Sequence, residues 1–341
     1  MNKKKKTLQA FLIGIILAMI LSYIKLPFYI LKPGSATPLE PIIKVDKGSA
    51  SKGSFSLTTV SFGRASIVSY LLAKFNSYDE MIPVDRVKQP DESDNDYLER
   101  QVQMMKSSQD SAVVIAYKKA EKKVTETFDG VYVTFTEKNM PGSKVFKKDD
   151  KLVKVNEIKL TSAEQFQNYI SSKKAGDRVN ITYEREGEKL NSIMKLSPFK
   201  EEPERAGIGI SLMNKRKVTV SPNVSLNTEN IGGPSAGLMM SLEIYDQLKP
   251  EDLTKGYKIA GTGTISETGE IGPIGGIAQK IVAADKAGVK IFFAPNEHGK
   301  KESNYKQAKL TAEKIHSSIK LVPVDKFDDA VFYLEKLKNA S

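Results

Sequence analysis

The sequence predicts an α+β chain in three parts: an N-terminal transmembrane helix, a small unit of short strands around one helix, and a C-terminal α/β unit. Three observations carry this. A run of about 17 uncharged residues, Leu8 to Ile24, follows four consecutive lysines. Short β-patterned stretches separated by turn residues fill the segment from Val131 to Leu196. From about Gly207 onward, strand-like and amphipathic stretches alternate, as they do in layered α/β structure. At 341 residues the chain has room for two or three domains.

The uncharged run would make roughly 26 Å of helix, enough for a bilayer core. Lys3 to Lys6 orient it, with the lysines cytoplasmic and the remainder of the chain outside. The run is longer than a signal-peptide core, and no small-x-small cleavage site follows. The reading is therefore an uncleaved single-pass anchor rather than a removed leader. Leu26 to Leu31 continue as an interfacial apolar stretch, so 1–31 form the cytoplasmic tip and anchor. Pro33, Gly34, Pro38 and Pro41 mark a turn-rich exit. Residues 32–123 then read as an extracellular α/β segment packing on the C-terminal unit. Within it Phe55 to Val60 alternates as a strand and Ala65 to Phe75 has helical spacing. Tyr97 to Ala120 is a further helix, broken near Ser107-Ser108.

The next unit, 124–200, orders Val131-Tyr132-Val133 as a strand, Pro141-Gly142 as a turn and Leu152 to Asn156 as a second strand. A helix from Ser162 to Ser171, capped by Ser162, precedes strands at Val179 to Tyr183 and Leu190 to Leu196. With Gly130-Val131-Tyr132-Val133, Pro141-Gly142-Ser143, Asp150 to Asn156 and Glu184-Arg185-Glu186-Gly187, this order resembles a PDZ domain of the bacterial protease-associated kind. The resemblance implies peptide binding by strand addition to a sheet edge.

Composition excludes several function classes. The net charge of +11 comes mainly from scattered lysines. A nucleic-acid surface would need clustered arginine with interleaved aromatics, so no nucleic-acid partner is expected. With no cysteine there is no disulfide framework, cysteine nucleophile or thiolate metal site. No metal or cofactor is expected, and no Gly-x-x-x-x-Gly-Lys-Ser/Thr loop suggests ATP.

In the C-terminal unit, 203–341, strands are expected at Val218 to Val220, Ile259 to Gly263, Ile291 to Ala294 and Leu321 to Val324. Helices are expected at Ser235 to Leu248, Ile277 to Ala287 and Phe327 to Leu337. Gly232-Gly233-Pro234-Ser235-Ala236-Gly237 sets a serine in a small-residue turn at the start of an apolar helix. There, free N–H groups and the helix dipole can hold an oxyanion, and Gly232 and Gly233 let a substrate backbone approach. The chain has two histidines, His298 and His316, both in lysine-rich surroundings that mark surface positions. A serine nucleophile here would therefore take a lysine as its base. Lys280 fits, since Ile277, Ala283 and Ala284 flank it at helical spacing and would strip its water. Thr262, at the end of a strand, could aim the amine. The same serine motif fits an α/β-hydrolase elbow, but that fold needs a strand running directly into the serine, and Pro222 to Gly232 is polar and turn-rich. Gly269 to Gly276 has the wrong spacing for a dinucleotide cradle and reads as a turn before a helix.

Gly233-Pro234-Ser235-Ala236-Gly237, Thr262-Gly263 and Gly269 to Gly276 running through Lys280 to Gly288 resemble the protease domain of the Lon family. That resemblance implies a nucleophilic Ser235, a general base at Lys280 and a supporting Thr262. ATP-dependent Lon enzymes usually carry an acid where this chain has Gly232. The layout resembles membrane-anchored PDZ-containing Lon-like proteases of Gram-positive bacteria, a group that includes streptococcal enzymes maturing a competence pheromone. It implies an ATP-independent extracellular serine endopeptidase acting on secreted or membrane-associated peptides or unfolded segments. The alternative is a catalytically inactive, membrane-anchored PDZ scaffold.

Overall fold

Apolar residues cluster from Leu26 to Val60 and again from Ile259 to Val324, and these two distant stretches build one sheet. The computed structural model describes residues 3–200, 202–228 and 231–340. Its helices, in chain order, are α1 (Lys3–Tyr23), α2 (Ile67–Ala73), α3 (Asp94–Lys119), α4 (Ala163–Ser171), α5 (Gly237–Leu248), α6 (Ile277–Lys286), α7 (Asn304–Lys314) and α8 (Phe327–Glu335). Two compact units result: Met1–Val87 with Gln101–Lys123 and Ser221–Ser341, and Lys88–Arg100 with Val124–Val220.

The first unit is organised on a six-stranded sheet in the order Lys320–Val324, Ile291–Pro295, Lys258–Gly261, Ser54–Ser66, Lys25–Pro38, Glu80–Pro83. The first four strands are mutually parallel and the last two join antiparallel. A parallel strand covered on both faces should be apolar throughout, and Ile291–Pro295 is buried at every position. Ile277, Ile281 and Ala284 of α6 pack with Ala308 and Ala312 of α7 and with Phe292 and Ala294 of the sheet. α5 is buried from Gly237 to Gln247. A helix apolar on one side only would not tolerate this. Its polar residues are satisfied internally: Gln247 Nε2 donates to the Ile43 carbonyl at 2.9 Å and to Glu243 Oε1 at 2.6 Å. Burial pushes the Glu243 carboxyl up to about 7.

The second unit carries a sheet in the order Ile210–Ser221, Lys123–Thr136, Lys151–Val155, Arg178–Arg185, Glu188–Lys195, with Ile158–Lys159 beside Lys151–Val155. α4 lays Ala163, Phe166 and Ile170 onto Val131, Leu152, Val179 and Ile181. Ser162 caps it, accepting from the Gln165 N–H at 3.0 Å. This removes one of the orphan donors of the first turn. Asp150, whose side chain is almost fully buried, is held by a bidentate pair with Arg185 at 2.7 and 2.6 Å.

Several expectations change. The apolar N-terminal run does lie in a helix, α1, but among the described residues no helix is long and apolar enough to cross a membrane. Leu26 to Leu31, expected at a membrane interface, belongs to the strand Lys25–Pro38. Tyr29, Ile30 and Leu31 are buried there because that strand is sandwiched between Ser54–Ser66 and Glu80–Pro83. The strand expected at Val218 to Val220 is the end of Ile210–Ser221, in the second unit's sheet. α3 is unbroken at Ser107-Ser108, where the Ser108 hydroxyl donates to the Pro234 carbonyl rather than competing with the helix backbone. Asp94 and Asp96 lie in its first turn and Lys118 and Lys119 in its last. α7 was not anticipated, since its sequence is mostly polar and only Asn304, Ala308 and Ala312 are buried.

Candidate active site

Pro234, Ser235 and Ala236 form one 3₁₀ turn that leads directly into α5. The turn is entered through Gly233 at φ 84°, ψ 154°, a backbone conformation open to glycine and strained for any side chain. It leaves Ser235 half-buried at the N-terminus of a buried helix, where the dipole favours negative charge.

Thr262 follows the strand Lys258–Gly261 and is fully buried. Its backbone N–H donates to the Phe293 carbonyl at 3.1 Å, tying it to the neighbouring strand. The Gly263 N–H and the Thr262 hydroxyl both donate to the Ser235 carbonyl, at 2.9 and 3.0 Å. The serine turn is thereby stapled to the sheet end by two bonds at the Ser235 carbonyl.

Lys280 sits in the first half of α6 and is 3% exposed. The glycine-rich run before it begins in a hairpin, with Ile271–Gly272 pairing antiparallel to Thr264–Ile265. Asn304 clamps the end of that run, accepting from the Ile274 N–H at 2.8 Å and donating to its carbonyl at 3.0 Å. The Lys280 amine lies 2.8 Å from Ser235 Oγ and 2.9 Å from Thr262 Oγ1. Since the Thr262 proton goes to the Ser235 carbonyl, its hydroxyl oxygen must accept from the amine. That fixes one amine N–H and leaves the nitrogen lone pair of the neutral form for Ser235.

Burial pushes the Lys280 amine down from 10.5 to about 7. Both of its polar neighbours are neutral hydroxyls, which stabilise an ammonium far less than a carboxylate would. The structure thus brings Ser235, Thr262 and Lys280 to one point, with Gly233 shaping the turn and Gly232 exposed just before it. His298 and His316 are exposed. Sequence spacing gave no sign of Ser108, 126 positions away, whose hydroxyl donates to the Pro234 carbonyl at 2.9 Å.

Residues 193–335 match the Lon protease (S16) C-terminal proteolytic domain, and residues 115–196 match the PDZ domain. Two successive segments of the chain are thus similar to a PDZ domain and to a Lon-type proteolytic domain. Among curated relatives, the Lon protease of Mycoplasma mobile is 28% identical over 144 residues, 40% of this chain and 16% of that protein. The Lon protease of Campylobacter concisus is 37% identical over 108 residues, 32% of this chain and 12% of that protein. The chain therefore spans a small part of these relatives' length. Among solved structures, the PDZ domain of an SdrC-like protein from Listeria monocytogenes is 33% identical, covering 26% of this chain and 90% of that one, at a TM-score of 0.24.

The lysine's environment has a thermodynamic consequence. In the unfolded chain the amine is protonated up to about 10.5, and in the folded chain only up to about 7. Between those values the unfolded state binds more protons, so stability rises with pH through that window and is lowest below it. Lys280→Met should stabilise the fold by a few kcal/mol at pH 7 and flatten this rise, as read from urea midpoints across pH. An unchanged or lower midpoint at pH 7 would show that the amine is not desolvated. Thr262→Val keeps the volume but removes the acceptor that favours the ammonium. The acid limb of any Ser235-dependent reaction should move to lower pH while its maximal rate falls by about tenfold or more.

Proposed function

We propose that the chain is an ATP-independent serine endopeptidase of the Lon type, with Ser235 and Lys280 as its catalytic dyad. The observation that carries this reading is the desolvated Lys280 amine 2.8 Å from the Ser235 hydroxyl. A base that is neutral near pH 7 can take the serine proton as Oγ attacks a peptide carbonyl. The new C–O bond gives a tetrahedral oxyanion at the start of α5. Pro234 has no N–H and the Gly233 N–H is held by the Gln101 carbonyl at 2.9 Å, which leaves the Ser235 and Ala236 amides as the turn's donors toward it. The lysine ammonium then returns its proton to the leaving amine as the C–N bond breaks, leaving an acyl-enzyme. Water, deprotonated by the same amine, releases the acid and restores Ser235. Thr262 holds the amine's rotation throughout.

The match of residues 115–196 to a PDZ domain supports capture of an extended peptide by strand addition. The substrates we propose are secreted or membrane-associated peptides, signalling peptides included, and segments already unfolded. Such substrates need no ATP-driven unfolding before they reach a half-buried serine. We also propose, from the uncharged run Leu8 to Ile24 and its preceding lysines, that the chain is anchored in the cell membrane at its N-terminal end, with the lysine-rich end cytoplasmic and the remainder outside. Support comes from Phe11, Ile13, Ile16 and Ile20 of α1, all left exposed to solvent by the fold, at a cost that a lipid phase would remove.

Ser235→Ala and Lys280→Arg should each lower peptide cleavage at least about a thousandfold with the fold intact, since an arginine cannot give up its proton. In the unsubstituted chain kcat/KM should rise with unit slope through about pH 7 as Lys280 loses its proton. Cleavage that survives either substitution would remove the dyad. For the anchor, membranes of expressing cells extracted with alkaline carbonate should retain the chain in the pellet, whereas its release would rule out a spanning helix.

A further inference from the structure

Residues 101–119 of α3 belong to the same unit as Ser235, but neither matched domain segment begins before residue 115. This helix nevertheless reaches the nucleophile turn at two places and the segment before it at a third. The Gln101 carbonyl accepts from the Gly233 N–H at 2.9 Å. The buried Ser108 hydroxyl donates to the Pro234 carbonyl at 2.9 Å. Gln109 Nε2 donates to Thr228 Oγ1 at 2.6 Å. Gln101 and Ser108 are seven positions apart, two helical turns, and so share one face of α3.

The approach is close enough to dictate residue type in the turn. A Cβ at Gly232 would stand 3.0 Å from Gln101 Cβ, and one at Gly237 would stand 2.7 Å from Ser108 Oγ. The first is tighter than side chains normally tolerate, and the second cannot be met without displacement. The space a side chain at position 232 would enter is therefore bounded by the root of a helical side chain.

We infer that α3 is part of the active-site framework: Ser108 and the Gln101 backbone are positioning elements for the Ser235 turn, and Gly232 is glycine because α3 passes against it. This rests on the reading of Ser235 as the nucleophile. Two bonds from the sheet end fix the carbonyl of Ser235, and α3 fixes the two residues before it. The turn is held from both sides, and its Oγ is aimed by neither alone. Ser108 touches no reacting atom. Its loss should therefore change turnover more than affinity, because a misaimed nucleophile loses attack geometry while the surfaces that bind substrate stay intact.

The full chain should be compared with Ser108→Ala by hydrogen–deuterium exchange across residues 228–238 and by kcat and KM on a short model peptide. The account predicts that exchange at Gly233 quickens by about tenfold or more and that kcat falls about tenfold while KM stays within about twofold. A second pair isolates the close approach. Gly232→Asp should lower kcat by about a hundredfold, and Gln101→Gly in the same chain, which removes the opposing Cβ, should restore at least part of it. Unchanged exchange and kcat in Ser108→Ala, or a Gly232→Asp chain as active as the unsubstituted one, would overturn the inference. If the unsubstituted chain cleaves nothing but exchange at Gly233 responds as predicted, the brace stands and the peptidase reading fails.

Discussion

An amine buried against two hydroxyls is an unfavourable thing to fold around, and the surrounding architecture follows from keeping it there. Desolvation alone pushes Lys280 to about 7. The protein forgoes the usual remedy of a paired carboxylate, which would restore the ammonium. What holds the side chain is geometry. α6 is packed through Ile277, Ile281 and Ala284 into the sheet and α7, and the amine is turned to Ser235 and Thr262. Stability is surrendered at that point, since the folded chain holds an amine it cannot readily protonate near neutral pH.

The hydroxyls are placed by long-range structure. Thr262 owes its position to a strand whose neighbours, Ser54–Ser66 and Ile291–Pro295, come from opposite ends of the chain. Three strands of that sheet, Lys25–Pro38, Ser54–Ser66 and Glu80–Pro83, lie before either matched domain segment. The unit that holds Ser235 is therefore completed by strands that lie outside both matched segments. The same holds for α3 at the serine turn.

The site was legible in the sequence where its logic is local. Ser235 announces itself by small residues before an apolar helix, Lys280 by apolar neighbours at helical spacing, and Thr262 by ending a strand. Their convergence needed the resemblance to the Lon family, because spacing along a chain carries no distance. The helix cap at Ser162 was legible for the same reason as the serine turn, being a property of a few consecutive residues. What escaped was non-local. Leu26 to Leu31 looks like a continuation of the apolar run before it, and only pairing with Ser54–Ser66 makes it a buried strand. Ser107-Ser108 looked like a helix break by propensity, whereas Ser108 spends its hydroxyl on a carbonyl far along the chain and leaves α3 intact. Gly232 was uninterpretable alone and acquires its reason from Gln101, 3.0 Å from where a side chain would begin.

The central claim is that Lys280 is a neutral amine at working pH because it is dry. The most direct measurement is the titration of its Nζ by nitrogen NMR in the full chain labelled at lysine, with Lys280→Met identifying the resonance. The account predicts half-protonation near 7, well separated from the remaining lysines. A Lys280 resonance that stays an ammonium up to about 10.5 would contradict it.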